Sequence, residues 1–98
     1  MTERQGRYRV KRDANQGEIE QALTAAGYVW FDTSKLGGGF PDLAVKLKQG
    51  SILLIEVKDG KGQLTPDERV FHDLWEDAPV IVARNPEDLI AYLNTWQL

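Results

Sequence analysis

Three ionisable side chains stand close to a segment that is otherwise apolar. Gly39-Phe40-Pro41-Asp42 is followed, fourteen residues after the aspartate, by Glu56-Val57-Lys58, the end of the run Ser51 to Lys58 (SILLIEVK). Side chains alternate across a strand, so Glu56 and Lys58 project from one face while Ile55 and Val57 enter a core on the other. Lysine and glutamate are rarely buried without a partner. Asp42 opens the preceding strand, and a hairpin turning at Gln49-Gly50 brings that start beside the end of the next strand. Two carboxylates and an ammonium therefore converge at one end of a sheet. Paired carboxylates repel unless a cation lies between them. Mg²⁺ takes hard oxygen ligands and keeps several waters, which leaves room for a phosphate oxygen and an attacking water. Phosphodiester hydrolysis needs that combination of Lewis acid and activated water. Lys58 is placed to orient or help deprotonate the water and to offset charge growing on phosphorus. The plainer reading of E-x-K is a surface salt bridge of Lys58 with Glu56 or Asp59 on a charged strand edge. G-x-P-D at this spacing, with a hydrophobic run between, favours the site.

Such a site needs a scaffold, and the patterning supplies one. Asp13 or Asn15 is suited to cap a helix through about Ala26, with Ile19, Ala22, Leu23 and Ala26 on one face and Gly27 ending it. Tyr28 to Phe31 reads as a short strand, Thr33 to Gly39 as a loop, and Asp42 to Leu47 as a second strand. With Ser51 to Lys58 these form an antiparallel meander. A polar loop, Asp59 to Gln63, leads to Thr65-Pro66. There an N-cap, a proline at the first helical position and Glu68 three residues after the cap make a capping box. That helix runs to about Glu76, with Phe71, Leu74 and Trp75 inward. Pro79 to Ala83 is a further strand. Pro86 opens a last helix that buries Leu89, Ile90, Leu93 and, at its end, Trp96. Trp30, Trp75 and Trp96 are all expected in the core. The order is α-β-β-β-α-β-α, an α/β fold whose mixed central sheet is flanked by helices.

Ninety-eight residues suit one domain. We expect a basic N-terminal arm, 1–12, and a single domain, 13–98. The arm holds Arg4, Arg7, Arg9, Lys11 and Arg12 against Glu3, a balance of +4 that leaves −7 on the rest of a chain whose net charge is −3. The arm reads either as a polyanion-binding tail or as a solvated one. There is no cysteine, which excludes disulfides, zinc thiolates and a cysteine nucleophile and suggests a reducing cytoplasm. No apolar run approaches the ~20 residues that span a bilayer, and the N-terminus has no apolar stretch of the kind found in signal peptides. Gly37 to Gly39 do not match G-x-x-x-x-G-K-[ST], so no nucleotide cofactor is expected. His72, the one histidine, cannot build a histidine-based metal site and reads as structural.

The pieces R-D-A-N-Q-G-E-I (12–19), A-L-T-A-A-G-Y (22–28), G-G-G-F-P-D-L (37–43), L-L-I-E-V-K-D-G (53–60) and L-T-P-D-E-R-V-F-H (64–72) resemble, in order, the virus-type replication-repair nuclease (VRR-NUC) domain. That domain belongs to the restriction-endonuclease-like PD-(D/E)xK superfamily, with archaeal Holliday junction resolvases and restriction endonucleases. The resemblance implies a DNA endonuclease using Mg²⁺ or Mn²⁺ held by Asp42, Glu56 and the carbonyl of Val57, with Lys58 catalytic. It implies one more acidic residue on the first helix, where Glu18 fits better than Glu20. Many family members carry glutamine where this chain has Glu68. Here Glu68 either supports Lys58 or only closes the capping box with Thr65, and Gln63 is a further polar candidate nearby. Lys35 and Lys61 lie in loops flanking the site, where they can touch a DNA backbone. The expected partner is branched DNA or a four-way junction, and the expected form is a homodimer, with Tyr92 and Trp96 as one patch for it. The alternatives are a nuclease without junction preference and a catalytically silent DNA-binding or protein-binding module.

Overall fold

The computed structural model describes residues 15–97. The arm residues Arg4, Arg7, Arg9, Lys11 and Arg12, and the candidate cap Asp13, lie outside them. The elements are α1 (Gln16–Ala25), β1 (Val29–Asp32), β2 (Leu43–Lys46), β3 (Ile52–Val57), α2 (Pro66–Leu74), β4 (Val80–Ala83) and α3 (Pro86–Asn94), closed by a 3-10 turn, Thr95–Gln97. The expected order holds, with boundaries moved by a residue or two. The sheet runs β1-β2-β3-β4, with the first two pairings antiparallel and β3-β4 parallel. It is a meander extended by one crossover strand, the mixed α/β sheet of a restriction-endonuclease-like fold. No helix among the described residues is long and apolar enough to cross a membrane.

The core lies between one face of the sheet and the pair α1 and α3. Leu43 and Val45 of β2, Leu53, Ile55 and Val57 of β3 and Ala83 of β4 meet Ile19 and Leu23 of α1 and Leu89 and Leu93 of α3. The period-2 alternation of β3 puts its odd-numbered residues there. Full burial contributes about 1.5–3 kcal/mol for each large side chain, so Ile55→Ala, at the centre, would cost about 2–5 kcal/mol. Gly27 ends α1 with φ +86°. Its N–H donates to Thr24 O, and the Tyr28 N–H donates to Leu23 O. This left-handed closure costs little only for glycine.

The other face of the sheet is largely open. Val29, Phe31 and Ile52 are exposed there. Three inward expectations fail. Leu74 is 78% exposed, Trp75 45% and Trp96 42%. Phe71 is the one side chain that α2 buries, and its ring meets Phe40 edge-to-face at 5.2 Å. Trp75 stacks on the outside of Phe71 at 4.8 Å, and Leu74 extends past that contact. Trp96 falls beyond α3, in the 3-10 turn, with its ring against Tyr92 at 6.1 Å. Tyr92 is also exposed, so these two rings do not complete the core. Trp30 packs against the core and donates its indole N–H to Thr24 Oγ1 at 2.8 Å.

Candidate active site

β2 and β3 pair in the register Leu43↔Ile55, and that register sets Asp42 beside the end of β3. The Asp42 N–H donates to Ile55 O at 2.9 Å, and its carbonyl accepts from Thr33 N–H at 2.8 Å. Its side-chain Oδ2 accepts from the Val57 N–H at 2.8 Å. The carboxylate is thus fixed by the main chain of the strand that carries the other two residues. Behind it, Gly39 turns with φ +84°. A Cβ on Gly39 would collide with the Asp67 carbonyl, so glycine lets the loop lie against the first turn of α2.

Glu56 is 1% exposed. Burial pushes its carboxyl up to about 9, helped by the charge and hydrogen bond of Asp42 and then by Glu68. Without a cation between them, the two carboxyls favour holding a proton. Glu56 Oε1 is buried with no hydrogen-bond partner, which costs about 1–3 kcal/mol in a metal-free protein. Lys58 Nζ lies 2.8 Å from Glu68 Oε1 and 3.8 Å from Glu56 Oε2. By distance, Glu68 is the closer ionic partner. Burial works to raise the Glu68 carboxyl, but the bond from Lys58 and that from the Thr65 N–H outweigh it and hold the carboxyl below its ordinary value. Glu68 also completes the capping box of α2, accepting from Thr65 N–H at 2.8 Å while Thr65 Oγ1 accepts from Glu68 N–H at 3.2 Å. The two readings of Glu68 are both realised, by one oxygen.

The structure brings Asp42, Glu56, Lys58 and Glu68 together. Glu18, on α1, is exposed. Glu20 is half-buried and accepts from Nε2 of Gln16 at 3.1 Å. Gln16 is 1% exposed, and its Oε1 has no partner. Gln63 turns away, donating to Lys61 O within its own loop at 3.0 Å. Lys35 and Lys61 are exposed. His72 is half-buried with its ring 6.3 Å from that of Phe71. Two residues escape a reading of the sequence. Asn15 precedes α1 but makes no cap bond; its amide donates to Lys58 O at 3.1 Å and Arg84 O at 2.8 Å. Arg84 Nη1 donates to Gly60 O and Gly62 O, both at 2.9 Å. A polar residue before a helix reads as a cap, and nothing in sequence spacing links it to β3 and β4.

Among the described residues no group of three or more histidine, cysteine, aspartate or glutamate side chains is gathered so as to hold an ion. Asp42 and Glu56 are the pair at hand, with Glu68 turned to Lys58. That pair fits a hard cation: two carboxyls pressed together, one with a buried oxygen that lacks a donor. The four-stranded mixed sheet flanked by helices is that of the restriction-endonuclease-like class. The VRR-NUC domain family matches residues 5–84, and the chain belongs to that family. Comparisons with curated proteins and with solved structures returned no match.

Proposed function

We propose that this nuclease domain is a Mg²⁺- or Mn²⁺-dependent DNA endonuclease selective for branched DNA, with four-way junctions as its first substrate. The observation that supports it most directly is Glu56: a buried carboxyl pressed on Asp42, one oxygen unpartnered, beside a lysine. Asp42, Glu56 and the carbonyl of Val57 would hold the cation, with one carboxylate of α1. Position in the sequence favours Glu18 for that place. The half-buried Glu20, on the face shared with Gln16, has the stronger support from packing. When bound, the cation would lower the pKa of the attacking water and polarise the phosphoryl oxygen.

Asp42 and Glu56 bind, and the Val57 N–H keeps Asp42 aimed. Lys58 supplies the ammonium that orients the water or offsets charge on phosphorus, and Glu68 holds it there. Lys35, Lys61 and the basic arm 1–12 serve the DNA backbone.

One chain carries one such site, and a two-fold homodimer would present two, matched to the approximate symmetry of a four-way junction. The exposed rings of Tyr92 and Trp96 are of the kind enriched at interface cores. The test is a cleavage panel of duplex, flap, fork and four-way junction with Mg²⁺. Paired symmetric nicks in the junction are expected, with light scattering near 22 kDa, about twice the 11.1 kDa chain. Retardation of DNA without cleavage would refute the enzyme. A monomer that cuts without paired nicks would refute both dimer and junction preference.

A further inference from the structure

We propose that Asn15 is a positioning residue for Lys58: its amide holds the lysine's main chain, and through it the ammonium. The inference relies on the nuclease reading only for what Lys58 does. Asn15 stands where a short polar side chain usually accepts from the free N–H groups of a helix, yet it makes no such bond. It is 9% exposed. Its Nδ2 donates to Lys58 O at 3.1 Å and to Arg84 O at 2.8 Å. An amide NH₂ has two hydrogens, and here each has its own carbonyl, at the ends of two adjacent strands. Turning the amide over would set Oδ1 against both carbonyls, so the partners fix its orientation. Oδ1 is left buried and unpartnered. A side chain kept in place with that penalty is held there by its two donated bonds.

Asn15 acts where the sheet stops. The β3-β4 register ends at Val57↔Ala83. One residue further, the Lys58 N–H donates to Ala83 O at 3.0 Å. With Asn15 on its carbonyl, both main-chain polar groups of Lys58 are held. The chain beyond is held too: the guanidinium of Arg84 grips Gly60 O and Gly62 O, and the Gly62 N–H closes on Asp59 O at 2.8 Å. Lys58 must reach Glu68 on a different element, and a side chain with four rotatable bonds finds one place reliably only when its Cα is fixed. Without Asn15, the first residue past the ladder would move with the 59–62 turn.

Two variants of the full chain test this. Asn15→Asp keeps the shape and replaces donor by acceptor. Asn15→Ser keeps at most one donor and guards against a variant that fails to fold. Amide hydrogen exchange in metal-free protein should quicken about tenfold or more at Lys58 and Gly62 and stay unchanged at Leu54, which is bonded to Pro79 O. Well below each melting midpoint, kcat on branched DNA with Mg²⁺ should fall about tenfold or more, with KM within about twofold. A merely structural role would quicken Leu54 as well and lower kcat only by the unfolded fraction. Unchanged exchange at Lys58 in a folded variant, or an unchanged kcat, would overturn the proposal. If wild-type protein cleaves no DNA, the nuclease reading fails, and exchange at Lys58 alone decides whether Asn15 holds it.

Discussion

Metal-free protein should lose stability as pH rises, and Glu56→Gln should abolish most of that loss. Glu56 has an ordinary value of 4.5 unfolded and about 9 folded, because it is buried against Asp42. Between those values the folded chain binds a proton that the unfolded chain has released. The unfolding free energy therefore falls with pH, by up to about 1.4 kcal/mol per pH unit. Over the window the loss is on the order of 5 kcal/mol, a large part of the roughly 5–15 kcal/mol that holds a domain together. The depressed Glu68 acts elsewhere. Its contribution is complete above its unfolded value and is lost only as pH falls through the folded one, below this window. Urea melts in EDTA at pH 5, 7 and 9 would measure the slope. Wild type should weaken steeply and Glu56→Gln should stay nearly level, its amide needing no proton. Mg²⁺ at pH 8 should restore the wild type, by about 2.7 kcal/mol at a hundred times its Kd, and leave the variant little changed. A wild type equally stable at pH 5 and pH 9 without metal would refute the claim that the two carboxyls are forced together.

Asp42→Asn and Lys58→Ala should each abolish cleavage in a folded protein. Calorimetry should find Mg²⁺ affinity lowered by the first change and not by the second, since only the carboxylate is a ligand. Glu20→Gln should reduce the cleavage rate strongly and Glu18→Gln weakly; the reverse order in single-turnover kinetics would return the α1 carboxylate to Glu18. Deleting residues 1–11 should flatten the salt dependence of DNA binding by about 0.9 in log–log slope for each phosphate the arm neutralises, and an unchanged slope would make the arm a solvated tail.

Much of this is legible in the sequence because it rests on local rules. The alternation of SILLIEVK assigns Ile55 and Val57 to the core, where they lie, and Glu56 and Lys58 to the opposite face, where both are buried too, against Asp42 and Glu68. Thr65-Pro66 with Glu68 specifies the start of α2, where both capping bonds form. Helical spacing says which side chains share a face but not whether anything covers them. Leu74 and Trp75 therefore read wrongly as core, since α2 sits on the rim of the sheet. The same gap separates Glu18 from Glu20: both are helical glutamates, and only tertiary packing tells the exposed one from the one beside Gln16. Asn15 is legible as a polar residue before a helix, but its partners lie 43 and 69 residues away, and no spacing rule reaches that far.

The sharing of Glu68 between the start of α2 and Lys58 has a consequence for local opening. The helix holds to the body chiefly through Phe71 on Phe40, while Val70 and Leu74 face solvent. Its detachment would leave the β3 ladder and the α1-α3 core standing, so it requires only part of the global unfolding free energy. Yet that limited excursion removes the carboxylate from the lysine. The fraction of molecules with Lys58 correctly held is then governed by the undocking equilibrium of one short helix, and it can fall with temperature or denaturant well before the sheet begins to melt.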